Sequence, residues 1–281
     1  MDRNEYRESS RNTWNTLAPS WDERREQMAE PVAPVRDWLI ERLAPKEGET
    51  ILDIATGTGE MTELSSARVG EAGRVICTDF AAQMLEAARR RGEAAGLTNV
   101  EYSEMDAERM HLDDASVDGV VCRFGYMLMS DRDAALRETR RVLRDGGRVA
   151  FAVWAEPQRN PWVLVPASVL MERGVFPPPD PDAPGIFALG DRGKIEASLA
   201  QAGLEPVEIE HVEIHHHIPD SDALWERVTK TMGPLATAIA EQPQDEQDAI
   251  RSAMDERAEP FREADGYHLA GAAYGVLARP A

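Results

Sequence analysis

Cysteine, lysine and long apolar runs are all scarce in this 281-residue sequence. The two cysteines, Cys77 and Cys122, lie inside apolar runs and show no metal-binding spacing, which favours buried thiols in a reducing compartment. No apolar run approaches the roughly 18 residues of a membrane span. The first residues also lack the apolar core of a signal peptide. These absences favour a cytoplasmic protein.

Positive charge is scarce as well. The chain has 31 basic and 51 acidic residues, giving a formal net charge of −20, and lysine occurs only at Lys46, Lys194 and Lys230. The negative electrostatic field of such a protein repels phosphate backbones and anionic membrane surfaces. The composition therefore argues against a nucleic acid or a membrane as partner.

Residues from about 34 to 154 alternate between patterns typical of strands and of helices. Apolar runs predict strands at 50–54, 74–79, 100–104, 117–124 and 147–154. Near-continuous runs of this kind are typical of a parallel sheet that is covered on both faces. A helix is predicted over 131–143, where apolar positions recur at helical spacing and Gly146 and Gly147 follow as a stop signal. The alternation predicts a doubly wound, mostly parallel α/β sheet.

The pattern changes after Trp154. The proline-rich run "FPPPDPDAPG" (176–185) predicts a semi-rigid connector. A helix over 192–202, a strand through "EPVEIEHVEIHHHI", a mostly helical segment over about 220–263 and a last strand at "AAYGVLARP" complete the chain. The simplest organisation is one α/β domain in which part of the second half forms a lobe over one end of the sheet.

The turn after the first strand, in "LDIATGTGEMT", is the first candidate for chemistry. Ligands of open α/β sheets bind at the carboxyl ends of strands, where the strand order reverses. Gly57 and Gly59 remove side-chain bulk at such an end, and Asp53 is expected to anchor the turn or to accept from a ligand cation. A dinucleotide fingerprint requires a glycine three residues after Gly59. This position is Thr62, so that fingerprint fails.

Acidic residues end two further strands. Asp79 stands twenty residues after Gly59, where a carboxylate is well placed to accept from two ribose hydroxyls. Asp106 follows the third strand, where an acidic group can accept from the exocyclic amine of adenine. Together with Asp53, these carboxylates close three successive strands, which indicates a shared nucleoside site.

These segments resemble the successive motifs of class I S-adenosylmethionine-dependent methyltransferases, with the ubiquinone/menaquinone C-methyltransferase-like group as the nearest branch. The segments are "LDIATGTGEMT", "VICTDFAAQMLEAAR", "VEYSEMDAERM", "VDGVVCRFGYM" and "ALRETRRVLRDGGRVAFAVW". The resemblance is specific over about 45–155 and loose elsewhere. It implies a Rossmann-like, mostly parallel seven-stranded sheet with a mostly helical lid, and S-adenosyl-L-methionine as the cofactor.

The same resemblance assigns residues to the methionine and ribose ends of the cofactor. Asp79 would hold the ribose, and Arg123 follows the fourth strand, where the family meets cofactor or substrate. The methionine part would be lined by the backbone of Ala55, Thr56, Gly57, Thr58 and Gly59. The family's usual first glycine in this turn is Ala55 here, which affects how closely the backbone can approach the ligand.

The adenine end is assigned in the same way. Phe80 and Met84 would flank the ring, and Asp106 with Ala107 would receive its amino edge. The N-terminal "WNTLAPSWDERRE" resembles the cofactor-covering segment of the branch, with Trp21 in the place of a capping aromatic. The implied organisation of the single domain, 1–281, is as follows: covering helices over 1–45, the cofactor-binding core over 46–156, lid segments over 157–190 and 220–265, and the last helix and strands over 191–219 and 266–281.

The activity implied is in-line methyl transfer to a small, partly apolar molecule. Such a displacement needs alignment and exclusion of water, and a catalytic base is optional, so no catalytic residue is assigned. A binding protein that senses or scaffolds without turnover is an alternative. A nucleotide-dependent oxidoreductase is another, although no tyrosine has the lysine four residues on that short-chain dehydrogenases use. The acceptor, the atom that is methylated and the oligomeric state, including a homodimer, stay open.

Two sets of side chains outside the cofactor motifs have two interpretations each. In "HVEIHHHIP", alternate residues His211, His215 and His217 share one face of a strand, and alternate histidines can bind zinc. A polar, exposed face of an edge strand explains them equally, and we favour that interpretation and no metal. Candidates for an acceptor pocket or for simple packing are Tyr6, Trp14, Tyr126, Met127, Trp162, Leu164, Met171, Phe176, Phe187, Trp225 and Met232.

Overall fold

The structure, a computed structural model, describes residues 2–178, 180 and 183–281. The strands are β1 (Thr50–Ile54), β2 (Arg74–Asp79), β3 (Val100–Glu104), β4 (Val117–Arg123), β5 (Leu143–Trp154), β6 (Leu204–Ile218), β7 (Arg262–Glu263) and β8 (Gly266–Pro280). The helices are α1 (Arg3–Glu23), α2 (Arg25–Ala29), α3 (Ala33–Leu43), α4 (Glu60–Val69), α5 (Ala82–Ala94), α6 (Arg132–Val142), α7 (Pro161–Glu172), α8 (Arg192–Ala202), α9 (Ser221–Thr231), α10 (Gly233–Ala240) and α11 (Gln244–Ala258). Three residues of the predicted connector, at 179, 181 and 182, lie outside the described residues.

All the strands belong to one sheet, in the order β3-β2-β1-β4-β5-β8-β6, and the two-residue β7 pairs with β8. β1 to β5 are parallel to one another. β1 and β2 are buried along almost their whole length, as their apolar sequences predict. The chain runs outward from β1 to β3 and then returns to place β4 on the other side of β1. The order therefore reverses between β1 and β4, which is where open sheets bind ligands.

The other edge of the sheet is antiparallel. β8 pairs with both β5 and β6, and β6 is the edge strand. From Ile209 onward, apolar residues of β6 are buried and the intervening residues are mostly exposed. The predicted mostly parallel, seven-stranded sheet is confirmed, with β7 as a short addition.

Two predicted boundaries were wrong. The last strand, β8, begins at Gly266, six residues before the predicted "AAYGVLARP". The boundary between α6 and β5 also differs. The sequence predicts a helix to residue 143 and a strand from residue 147, but α6 ends at Val142 and β5 begins at Leu143. Leu143 pairs with Val117 before the register shifts, so pairing with β4 takes over from the helical pattern. Gly146, at a φ of 78°, lies within this irregular start of β5 instead of ending the helix.

The apolar residues form two large cores. The first packs α3, α4, α6 and α8 against the sheet. The second joins α7, α9, α10 and α11 to the far ends of β6 and β8, and its members include Leu170, Val228, Ile250 and Tyr267. This second core is the predicted, mostly helical lobe. No helix in the described part of the chain has the length and apolar character needed to cross a membrane.

Candidate functional site

A large cavity of about 1250 Å³ lies at the carboxyl ends of the parallel strands. Of the thirteen residues predicted to bind the cofactor, twelve line it: Asp53, Ala55, Thr56, Gly57, Thr58, Asp79, Phe80, Met84, Asp106, Ala107, Arg123 and Trp21. Gly59 is not part of this wall. The segments that the sequence predicts to end at the same edge of the sheet therefore lie around one cavity.

Asp53 fixes the turn after β1. Its Oδ2 accepts hydrogen bonds from the hydroxyls of Thr56 at 2.7 Å and Thr62 at 2.6 Å. Burial raises the pKa of Asp53 to about 6, and the two hydroxyl donors oppose that rise. Of the two roles expected for Asp53, anchoring the turn is the one that its contacts support. Thr62, which sequence reasoning noted only as a missing glycine, is part of this anchor.

Three residues of the turn have left-handed backbone. The φ angles are 53° at Ala55, 57° at Gly57 and 89° at Gly59. A Cβ placed on Gly57 would have no atom within 4 Å, so its backbone faces open space. A Cβ on Gly59 would lie 3.1 Å from the Cβ of Ala88. Gly57 thus leaves the cavity wall bare, whereas Gly59 allows α4 and α5 to approach each other.

Asp79 ends β2 beside this turn and is 6% exposed. Its Oδ2 accepts from the backbone N–H of Gly57 at 3.0 Å, and its Oδ1 accepts from that of Ala81 at 2.9 Å. Burial raises the pKa of Asp79 to about 6, while these backbone donors oppose the shift. Each carboxylate oxygen keeps a further lone pair for a ligand hydroxyl.

The third strand-end carboxylate is paired with the N-terminal helix. Arg7 of α1 lies 3.1 Å from Asp106 through its Nε, and its Nη2 contacts Glu108. Glu108 also accepts from the hydroxyl of Ser130 at 2.8 Å. Sequence reasoning missed Arg7 and Glu108, because their pairing joins positions about 100 residues apart and has no local signal.

An aromatic cluster covers the same end of the cavity. Trp14 and Trp21 of α1 meet edge to face, with ring centroids 5.3 Å apart. They pack with Phe80 and Met84 around the buried Ala18. Helix α1 is thereby held over the ends of β2 and β3, which is the position predicted for the covering segment.

Arg123 ends β4 and is already paired. Its Nη1 lies 2.6 Å from Oε2 of Glu60 at the start of α4, and Glu60 also pairs with Arg36 at 3.2 Å. Burial alone would raise the pKa of Glu60, but its two arginine partners hold that pKa below the ordinary value of a glutamate. Like Arg7 and Glu108, Glu60 is a residue of the cavity wall that the sequence did not indicate.

A continuous aromatic wall leads from the strand ends into the lobe. Phe124, directly after β4, stacks on Trp154 at 4.4 Å with the ring planes 9° apart. Trp154 lies 4.7 Å from Trp162 of α7, and Trp162 lies 4.8 Å from His216 of β6. All four side chains line the cavity. We define them as the aromatic wall.

Most of the predicted acceptor-pocket side chains also line the cavity. These are Tyr6, Trp14, Met127, Trp162, Leu164, Met171, Phe176, Phe187 and Met232. Trp225 does not: it packs on the second core. Tyr126 is fully buried, and its hydroxyl shares a 2.6 Å hydrogen bond with Thr139, so it is a packing residue.

The two cysteines and most of the histidines of β6 do not line the cavity. Burial raises the pKa of both Cys77 and Cys122 to about 12, so the thiols are inert at neutral pH. Among the described residues, His217, Asp265 and His268 have possible ligand atoms within 4.8 Å of one another. This group lies on the β6–β8 edge and is mostly exposed. It is the feature to be tested against the prediction that the protein needs no metal.

Comparison with known proteins decides the family. A model of the ubiE/COQ5 methyltransferase family matches residues 32–163. The ubiquinone/menaquinone biosynthesis C-methyltransferase UbiE of Escherichia coli O139:H28 is 32% identical over 173 residues, which cover 58% of this chain and 69% of that protein. This chain belongs to the ubiE/COQ5 methyltransferase family. The UbiE of Hahella chejuensis is 38% identical over 127 residues, which cover 45% of this chain but only 51% of that relative.

Solved structures of methyltransferases share the fold. A SAM-dependent methyltransferase from Aquifex aeolicus gives a TM-score of 0.53 at 18% identity, covering 88% of this chain and 89% of that chain. Geranyl diphosphate C-methyltransferase from Streptomyces coelicolor A3(2) was solved with S-adenosyl-L-homocysteine. It gives a TM-score of 0.53 at 18% identity, covering 89% of this chain and 80% of that chain. For the ubiE/COQ5 family member described here, the predicted class I methyltransferase, its Rossmann-like fold and S-adenosyl-L-methionine as cofactor are confirmed.

Proposed function

We propose that this protein transfers the methyl group of S-adenosyl-L-methionine to a small, partly apolar molecule bound against the aromatic wall. The observation that carries the proposal is the single cavity that joins the Asp53–Gly59 turn to the side chains of the lobe. Its volume of about 1250 Å³ exceeds the roughly 300–1000 Å³ of an ordinary ligand pocket. It is therefore large enough for a cofactor and an acceptor side by side.

The residues present fit this cofactor. Asp79 presents a buried carboxylate to a ribose, and the bare backbone of Gly57 leaves room for the methionine part. Phe80 and Met84 offer apolar faces to the adenine, with Asp106 and Ala107 beside its amino edge. Trp21 covers the site from α1. When bound, the cofactor supplies a methyl group on a sulfonium, which already carries its leaving group.

The chain's own part in the reaction is alignment and exclusion of water. We assign residues 46–156 to cofactor binding and residues 1–45 to covering it. The lid segments, 157–190 and 220–265, close the acceptor end, and 191–219 with 266–281 complete the sheet within one domain. Apolar walls around the reacting atoms keep water from the displacement. Arg123 is held by Glu60 at 2.6 Å, so it serves to shape the wall at the strand end.

The cover over the cavity also limits which partners the protein can bind. Cover by α1 and by the lid segments leaves a space suited to a small molecule, and the net charge of −20 repels polyanions. We therefore propose that neither a nucleic acid nor a membrane surface is the partner, and that the protein works in the cytoplasm.

Two measurements test the function. Native mass spectrometry of the purified protein should show bound S-adenosyl-L-methionine or S-adenosyl-L-homocysteine. Transfer of a labelled methyl group to a panel of small hydroxylated aromatic and prenylated molecules should then identify an acceptor. A protein that binds the cofactor but methylates no panel member, nor any molecule in a cell extract, would instead support the sensor or scaffold. Tight NAD binding would favour the oxidoreductase.

Hydrogen exchange tests the assignment of the lid segments. With S-adenosyl-L-homocysteine and acceptor bound, amides of α1, α7 and α9 should gain protection, while those of β1 and β4 change little. The central strands act as the internal control, because they are already buried in the free protein. Equal mobility of α7 and α9 with and without ligands would contradict closure.

A further inference from the structure

The acceptor end of the cavity contains an arginine that differs from the others around it. Five arginines line the cavity, and four of them form an ion pair: Arg7 with Glu108, Arg24 with Glu226, Arg25 with Glu63 and Arg123 with Glu60. The fifth, Arg227 of α9, has no ion pair with any carboxylate in the part of the chain that the structure describes. Arg227 is half-buried. A cation withdrawn from water is normally paired, but this guanidinium has no counter-charge among the described residues.

The surroundings hold Arg227 in place without neutralising it. Its Nη2 donates to Nδ1 of His216 at 2.8 Å, and its guanidinium carbon lies 5.4 Å from the ring centroid of Trp162. Burial lowers the pKa of Arg227 only to about 10, so the side chain is cationic at neutral pH. Stacking on an indole favours a cation but supplies no negative charge.

The contact with Arg227 also fixes the tautomer of His216. Arginine has no acceptor, so Nδ1 must be the unprotonated nitrogen and the proton must be on Nε2. Burial lowers the pKa of His216 to about 2, with the charge of Arg227 adding to that effect, so the ring is neutral. His216 is 1% exposed, and its Nε2 has no hydrogen-bond partner among the described residues. His216 is thus a neutral ring that is fixed by Arg227, and its Nε2 is buried beside Gly271.

The position of this pair relative to the cofactor site follows from the aromatic wall. Ring contacts run from Phe124 at the end of β4, which stacks on Trp154, to Trp162 and His216, whose rings are tilted by 54° and 40° from the preceding ring. A flat, conjugated acceptor lying along these rings would have one end at the strand ends and the other at Arg227. Two acidic residues of the cavity wall, Glu226 and Glu156, are engaged with Arg24 and with Tyr274.

We propose that the methyl acceptor carries a carboxylate and that Arg227 binds it, with His216 positioning the guanidinium. This inference rests on the proposed function, because it specifies the acceptor of that site. A guanidinium matches the two oxygens of a carboxylate through parallel N–H donors. One unpaired positive charge balances one carboxylate, whereas the dianion of a phosphate monoester would leave net negative charge buried.

Binding of matched probes tests the proposal without any turnover. The probes are 6-hydroxy-2-naphthoate and its neutral amide, with benzoate and benzamide as a smaller pair, measured by calorimetry in the presence of saturating S-adenosyl-L-homocysteine. The wild type should bind a carboxylate at least ~10-fold more tightly than its amide, since a hydrogen bond to a charged group is involved. Arg227→Gln should abolish that preference, and Arg227→Lys should keep part of it.

Arg25→Gln is the matched control, because Arg25 lines the same cavity but is paired with Glu63, which is not one of the residues around Arg227. It should leave the preference unchanged. Unaltered melting temperature and affinity for S-adenosyl-L-homocysteine show that each variant is folded. The proposal is overturned if neither carboxylate binds, if carboxylate and amide bind equally, if the preference survives in Arg227→Gln, or if 2-naphthyl phosphate binds better than the naphthoate.

The two proposals fail in different ways. Methylation of neutral molecules with no preference for carboxylates would refute the role of Arg227 and leave the methyl transfer standing. Absence of any methyl transfer, with the carboxylate preference intact and lost in Arg227→Gln, would refute the proposed function alone.

Discussion

The carboxylate of Asp79 and the backbone amide of Gly57 are joined by a hydrogen bond of 3.0 Å. This contact ties the end of β2 to the turn after β1, so one side chain both shapes the turn and faces the cavity. The ribose role proposed for Asp79 therefore has to be separated experimentally from its role in holding Gly57. Because Oδ1 is also engaged, with Ala81 at 2.9 Å, the carboxylate is fixed in orientation before any ligand arrives.

Replacing Asp79 tests the cofactor site. Asp79→Ala removes charge-assisted hydrogen bonds worth about 1.5–3 kcal/mol, so affinity for S-adenosyl-L-homocysteine should fall at least ~10-fold by calorimetry. The matched control is Asp118→Ala. Asp118 also accepts a backbone N–H, from Thr50 at 2.8 Å, but lies near the opposite end of its strand. Unchanged affinity in Asp79→Ala, or an equal loss in Asp118→Ala, would contradict the assignment.

The raised pKa of Asp79 predicts a pH-dependent affinity. Ribose hydroxyls donate to the ionised carboxylate, so binding favours the charged form and displaces a proton when the pH is near or below about 6. Affinity for S-adenosyl-L-homocysteine should be constant above about pH 7 and fall by up to about tenfold per unit below about pH 6. Calorimetry in buffers of different ionisation enthalpy measures the released proton directly. Affinity that stays flat down to pH 5 would show that Asp79 does not act as the ionised acceptor.

The anchor of the turn gives a prediction for stability. Thr62→Val removes one of the two hydroxyls that donate to Asp53. At pH 7.5, where this carboxyl is charged, the free energy of unfolding should fall by about 1–3 kcal/mol. At pH 5 the loss should be smaller. The folded-state pKa of Asp53 is raised from 3.8 to about 6, so the folded protein holds the proton there and needs the donor less. Denaturant titration at both pH values measures this, with Thr62→Ser as the control that keeps the hydroxyl.

The left-handed residue at the start of the turn predicts a stabilising substitution. Ala55 has a φ of 53°, which costs an alanine roughly 1–2 kcal/mol and a glycine almost nothing. The greater freedom of glycine in the unfolded chain cancels part of that gain. Ala55→Gly should raise the free energy of unfolding by about 0.5–1 kcal/mol, whereas Ala197→Gly in the exposed middle of α8 should lower it by about 1 kcal/mol. A loss in both variants would contradict this account of Ala55.

The sequence predicted those parts of the molecule that depend on local patterns. The strand ends at Asp53 and Asp79, and the glycine at position 57, follow from periodicity and from the register of strand ends, and the structure places them together. Contacts between distant segments were not predictable in this way. Nothing near Arg7 in the sequence indicates Glu108, and nothing near Arg227 distinguishes it from the paired arginines. Their roles arise only once α1 and α9 pack over the sheet.

The histidines of β6 show the same limit within one short run. Side chains alternate between the two faces of a strand, and this pattern correctly predicted that His215 and His217 face outward on an edge strand. It also placed His216 on the opposite face, but only the packing of α7 and α9 turns that face into a cavity wall. Periodicity assigns a side chain to a face, whereas the chemistry of the face depends on what covers it.

The exposed histidines provide the last prediction, that methyl transfer needs no metal. Nε2 of His215 lies 2.8 Å from Nδ1 of His268, and Nε2 of His268 lies 2.8 Å from Asp265, so these groups already bind one another. None of them lines the cavity. The double variant His215→Ala, His217→Ala should therefore keep nearly full turnover with the acceptor found in the panel, and chelation should change nothing. Activity lost on chelation and restored by zinc in the wild type, but not in the double variant, would make this edge a functional metal site.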